Sequence, residues 1–402
     1  MKKFTLFTIV ALLAVAMIVP QAMAASKATP YGRMWFDTAS VTWDKNSGPG
    51  NAANANTIGL INGAYNPNFD EQDTIWTNVT YGMMGINFKA DCFTAKFEIN
   101  DGAGAANSVD IRHIYGSYNF GMGSILIGHT WDIGYLSCIP CLNADLGLVP
   151  WVHKGGVPAT QAREAQIRLT FPTTFGVLNF AFQTPQTTAP DSNILGAPLD
   201  YETELPAFRA QWITKPLGPV MFILFFGYNS YEAVYNPVVA TQEMRWDIDS
   251  TVYTGQAIAN FGPFGIKFML GRSYNAENYS TDVNPVYNWG AYIYQNPVTG
   301  GYSLHDSELN TWMVELAYRA TKNITIKFVY GEDDEQLDFP GTSWEWQTDA
   351  WGLMFDITVC PGFQIIPQYQ AVDLGVRNTN GIDAAIDAGD AHLIGIQWRF
   401  TF

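Results

Sequence analysis

Apolar residues recur at every second position through most of this chain. Phe93, Ala95, Phe97 and Ile99 interleave with Thr94, Lys96, Glu98 and Asn100. Trp312, Val314, Leu316 and Tyr318 interleave with Met313, Glu315, Ala317 and Arg319, and Trp351, Leu353, Phe355 and Ile357 with Gly352, Met354, Asp356 and Thr358. A period of two belongs to a β-strand with one apolar and one polar face. Sixteen segments read this way: 30–43, 74–89, 93–100, 109–120, 124–131, 161–171, 174–184, 204–214, 219–229, 244–261, 264–276, 308–320, 323–331, 348–359, 362–373 and 390–402. Within 74–89 and 244–261 the alternation slips phase, and Gly85 and Gly255 are expected to mark bulges there.

The connections sort by length. Seven are tight: "KADC" (89–92), "GMG" (121–123), "PTT" (172–174), "KPLG" (215–218), "GPF" (262–264), "ATKN" (320–323) and "CPG" (360–362). Between them, in strict alternation, stand eight longer ones: 44–73, 101–108, 132–160, 185–203, 230–243, 277–307, 332–347 and 374–389. This is the arrangement of antiparallel strands in up-and-down order with tight turns on one side of a membrane and long loops on the other. A soluble sandwich would need a second sheet to cover each apolar face. A closed barrel leaves no unpaired strand edge, the condition for a sheet to sit in hydrocarbon. The fold class expected is therefore all-β, a transmembrane antiparallel barrel of about sixteen strands. At that number the interior is too wide for side chains to fill, so an aqueous channel remains.

Composition agrees. Aromatic content is 14%, hydrophobic content 48% and charged content 14%, the last against about 25% in ordinary soluble domains. Past the first 24 residues no apolar run is long enough for a spanning helix; the greasiest, "VMFILFF" (220–226), suits a spanning strand. Residues 1–24 read as a secretory signal, with Lys2 and Lys3, an apolar stretch from Leu6 to Val19, and Ala22-Met23-Ala24 as the cleavage site. The barrel domain is then 25–402. Without the signal's two lysines the net charge moves from −16 to −18, which repels nucleic acid.

The stretch "QWRFTF" (397–402), with Trp398, Phe400 and Phe402 on alternate positions, resembles the signal read by the outer-membrane assembly machinery in bacterial porins. The segment "IRHIYGSYNFGMGSILIGHTWDIGY" (111–135) resembles the strand, tight turn and strand that precede the third long loop in some of them. Over its whole mature length the chain resembles the sixteen-stranded trimeric porin family. That resemblance implies a homotrimer in the bacterial outer membrane, in contact with the lipid bilayer and lipopolysaccharide, with a third loop (132–160) folded inward to narrow the pore. The family often lacks cysteine, so the cysteines here gain nothing from it.

By alternation Arg33, Lys96, Arg112, Arg168 and Arg209 point into the barrel, each beside an apolar outward neighbour. Inward bases facing loop carboxylates, with Asp132 and Asp145 available, would set a transverse field that sorts solutes by charge. The plainer alternative is that these bases only pair with Glu98, Asp110 or Glu164 on the wall of a polar lumen. Cys138 and Cys141 ("SCIPCLN") fit a local disulfide in an oxidising compartment. A redox pair would want a βαβ context and a metal site two more ligands. Cys92 and Cys360 lie in tight turns four strands apart, roughly 19 Å at the usual spacing, too far for a bond. Residues 332–347 ("EDDEQLDFPGTSWEWQ") hold six acids and no base and read as a solvated acidic mouth without EF-hand spacing. Hydrolase, metalloprotease, P-loop and Rossmann signatures are absent, so no cofactor and no enzyme activity are expected. The functional expectation is a passive channel for ions and small hydrophilic solutes. A channel selective for small anions is the alternative, and a non-conducting surface protein or adhesin ranks behind both.

Overall fold

The computed structural model describes residues 27–44, 74–101, 109–134, 163–185, 187, 191–192, 199–235, 244–279, 291–295, 301–340, 342–373, 376–379, 386–387 and 390–402. The proposed signal and most of 132–160 lie outside them.

Sixteen long strands form the wall: β1 (Lys27–Asp44), β2 (Thr74–Lys89), β3 (Phe93–Asp101), β4 (Val109–Asn119), β5 (Ser124–Trp131), β6 (Arg163–Thr173), β7 (Gly176–Gln183), β8 (Ala207–Thr214), β9 (Val220–Tyr235), β10 (Met244–Phe261), β11 (Phe264–Tyr274), β12 (Ser307–Arg319), β13 (Ile324–Phe339), β14 (Thr342–Cys360), β15 (Phe363–Asp373) and β16 (Asp390–Thr401). Each pairs antiparallel with its chain neighbours, and β1 pairs with β16 through Met34 opposite Phe400 and Phe36 opposite Trp398. The ring is closed. At the seam Gly32 and Phe402 exchange backbone hydrogen bonds of 2.9 and 3.0 Å. The Phe402 ring lies so close over Gly32 that any Cβ there would collide with it.

The two faces follow the alternation. Met34, Phe36, Ile86, Phe97, Leu224, Phe268, Leu270, Leu316, Phe355 and Ile396 are all exposed on the outside. A continuous apolar exterior of this extent has no place in water and matches the lipid-facing band of a membrane barrel. Trp312–Tyr330 and Trp351–Tyr369 ring pairs, 5.2 and 5.1 Å apart, lie on that outer face.

Three expectations are corrected. Gly85 and Gly255 sit in unbroken ladders, Gly85 opposite Tyr31 and Glu98, and Gly255 opposite Leu224 and Leu270. The register shifts instead lie at Glu98/Ile99 against β4 and at Thr358/Cys360 against β15. The acidic segment 332–347 is no loop: β13 and β14 continue as a tall hairpin with Phe339 opposite Thr342. Its acids therefore alternate between the two sheet faces, with Glu335 buried. β9 likewise runs on to Tyr235. Above the wall, strands 292–295 and 302–305 pair with each other, and 191–192 joins them in a small separate sheet.

Candidate functional site on the inner wall

Glu98 centres the first inward group. Its Oε2 lies 3.0 Å from Lys96 Nζ and accepts the Tyr31 hydroxyl hydrogen bond, while its Oε1 accepts from Arg112 Nε at 2.8 Å. The shift at Glu98/Ile99 makes this possible: β4 contributes Arg112 and His113 where β3 contributes one residue. Both then reach the interior, His113 meeting Thr130 at 2.9 Å. Gly85 leaves room for the Tyr31 ring, since a Cβ there would lie 2.7 Å from its hydroxyl. Lys96 and Arg112 thus share one carboxylate, which pairs with both and offsets one of their two charges.

The second group gathers residues far apart in sequence. Arg209 on β8 lies 3.2 Å from Asp132, just past β5, with both side chains no more than 2% exposed. Arg209 Nη1 also donates to the carbonyls of Phe208 and Tyr228 at 3.1 and 2.8 Å. Gln211, two residues along β8, donates to the Ile133 carbonyl, and Gly134 packs directly on the Phe225 ring of β9. Beside them Arg168 donates to Gln166 Oε1 at 2.9 Å and to the Trp131 carbonyl. Among the described residues Arg168 and Arg33 have no carboxylate within ion-pair distance. Arg33, opposite Met83 and Thr401 and exposed, is remote from the Asp132 group in the strand order.

Across from Asp132, the single helical turn Ala276–Tyr279 after β11 brings Tyr279 over Arg209, with the guanidinium 3.8 Å from the ring centre. Asn275 opens that turn at a positive φ of 50°, held by its side chain on the Asp249 carbonyl at 2.8 Å and on Asp306 at 2.6 Å. Asparagine tolerates this conformation better than most residues. Complete burial holds the Tyr279 phenol well above its ordinary range, so it stays neutral beside Arg209. No spacing in the sequence announces this residue.

Two features of the inner wall went unnoticed in the sequence. Near the tight-turn end stand Lys267, 3.2 Å from Glu315, and Lys327, 3.3 Å from Asp356. Arg399 lies over the Trp35 ring at 5.3 Å. All three obey the alternation rule, lying between Ile266 and Phe268, Ile326 and Phe328, and Trp398 and Phe400. The wall from β9 to β15 also carries an apolar arc of Phe225, Val252, Met269, Met313, Val329, Met354 and Ile366, against which Ile133 and Tyr279 pack. There both strand faces are apolar, so "VMFILFF" shows no alternation.

Asp145, Cys138 and Cys141 lie outside the described residues. Cys92 and Cys360 are free thiols.

No protein-family model and no curated protein sequence matches the chain. Solved structures do. The outer-membrane channel DcaP of Acinetobacter baumannii superposes with a TM-score of 0.62 at 15% identity, covering 94% of this chain and 98% of that one. The anion-selective porin from Comamonas acidovorans gives 0.55 at 12% identity over 94% and 100%. The trimer form of the Vibrio cholerae outer membrane protein OmpT gives 0.54 at 9% identity over 94% and 100%. At such identities the likeness carries the fold, and by fold this chain is a sixteen-stranded barrel of the bacterial outer-membrane porin type.

Proposed function

We propose that the protein is a bacterial outer-membrane channel through which ions and small hydrophilic solutes diffuse passively, exported by a signal at 1–24 and assembled as a homotrimer. The observation that carries this is the opposition of the two faces: apolar outside, and charged and amide-bearing inside apart from the arc from Phe225 to Ile366. Ser250, Gln256 and Ser273 and the amide nitrogen of Gln397 point inward with polar atoms that no described residue meets. Left without any partner each such buried group costs about 1–3 kcal/mol, a cost that water entering the wall from a hydrated lumen would remove. The path of Asp132–Gly134 toward β8 and β9 supports an inward third connection (132–160). The paired aromatics Trp398 and Phe400, stacked on Phe363, support a role of the last strand in assembly. Reconstitution in planar bilayers tests the reading: step currents in multiples of three are expected, and a protein that inserts without conducting would be an adhesin or structural protein instead.

A second reading, preference for small anions, is favoured by Arg168 and Arg33, neither of which has a described carboxylate within ion-pair distance. Under a salt gradient the reversal potential is expected to lie toward the anion's equilibrium value. Arg168→Ser shifts it toward cations, and Arg112→Ser shifts it less because Glu98 already offsets that charge. Equal reversal potentials in wild type and Arg168→Ser would remove Arg168 from the selective path. A Cys138–Cys141 disulfide would stiffen the third connection. Alkylation without reductant is then expected to label Cys92 and Cys360 alone, and labels on 138 and 141 would rule the bridge out.

A further inference from the structure

Arg209 touches two connections that leave opposite parts of the barrel. On one side it holds Asp132, the first residue after β5, at 3.2 Å; on the other it lies 3.8 Å over Tyr279, five residues after β11. The wall is cut to receive both. A Cβ on Gly227 of β9 would stand 1.7 Å from the Tyr279 hydroxyl, and one on Gly134 would stand 2.6 Å from the Phe225 ring. Gly227 and Phe225 are neighbours on the same inner face of β9, each opposite a residue of the β8 pair Arg209 and Gln211. The turn that carries Tyr279 is fixed independently: Asn229 of β9 donates to the Asn278 carbonyl at 2.9 Å, and Asn278 donates to the Tyr231 hydroxyl at 2.9 Å.

We infer that Arg209 is a positioning residue that couples the third and sixth long connections, and that Tyr279, inserted through the gap above Gly227, sets how far Asp132–Gly134 projects into the lumen. The guanidinium is engaged in this coupling: its Nε goes to Asp132, its Nη1 to two carbonyls and its face to the ring. It therefore offers no charge to a passing solute. The sixth connection is then part of the constriction. The inference rests on the channel reading above.

Single-channel conductance separates coupling from mere support of the fold, because a residue that only stabilises the barrel changes yield and melting but not the current through an assembled pore. Tyr279→Ala removes the ring, and Gly227→Ala evicts it while leaving it chemically intact. Both are expected to raise conductance to a similar level, with more current noise, and neither adds to the rise caused by Arg209→Gln when combined with it. Tyr279→Leu keeps the volume without the aromatic face and is expected to behave as Tyr279→Ala; it serves where the alanine cavity blocks assembly. Wild-type conductance in both single variants, or strictly additive effects in the doubles, would overturn the coupling. Absence of current from the wild-type protein in the same bilayers would instead overturn the channel reading.

Discussion

Arg209→Met is expected to destabilise the barrel by about 3–5 kcal/mol, the cost of leaving one partner of a buried ion pair alone. The side chain left behind is Asp132, 1% exposed, whose Oδ1 accepts from the Gly134 amide at 3.1 Å and which keeps only the more distant attraction of Arg168. Methionine keeps most of the volume against Tyr279, so little of the loss comes from packing. Urea unfolding in phospholipid vesicles, followed by tryptophan fluorescence, measures it. Adding Asp132→Asn removes the orphaned charge and is expected to restore a large part of the loss. A cost of under about 1 kcal/mol would instead mean that water reaches the pair, as at exposed ion pairs. The two outcomes differ several-fold, so the measurement decides how dry the region behind the third connection is.

The strand plan was legible in the sequence because lipid imposes it. A residue on the outer face of a spanning strand must be apolar, and its neighbours face a different medium, so the period of two survives wherever the inner face is polar. Where a strand rises past the membrane that constraint ends. On β13 the outward positions become Glu332 and Asp334, and on β14 they become Gln347 and Glu345, so the ladder continues while the signature stops. That is why 332–347 reads as a loop and folds as a hairpin. The signature also fails where the inside is apolar: Ile223 and Phe225 point inward beneath Ile133, while Phe222 and Leu224 point outward.

Inward bases were legible for the same reason as strands, and the rule extends to Lys267, Lys327 and Arg399. Their partners were not. Arg209 and Asp132 are 77 residues apart in sequence, and alternation gives direction but no distance across a barrel. The bulge that brings Arg112 and His113 together onto Glu98 leaves no trace in composition, since an extra residue in a strand looks like any other. Tyr279 lies on a connection, where no periodicity constrains the side chain.

The membrane reading itself is tested by placing one charge on each face. Leu224→Arg puts a guanidinium on the outer face of β9, between the outward Phe222 and Phe226, at a position 47% exposed to the surroundings. In hydrocarbon this costs about 2–4 kcal/mol near the bilayer midplane, and unfolding in vesicles is expected to show a loss in that range. Thr94→Arg places the same group on the inner face of β3, where Lys96 and Glu98 already stand and Thr94 is exposed. A water-filled lumen accepts it with little loss of stability and registers it as a change in current. If both substitutions cost the same, the two media are not different. The exposed Leu224, Leu270 and Ile396 would then need a protein partner rather than lipid to cover them, and the polar interior would lose its reason for being hollow. A large cost outside and a small one inside follow from a single arrangement, a closed sheet whose exterior is solvated by hydrocarbon and whose interior is solvated by water.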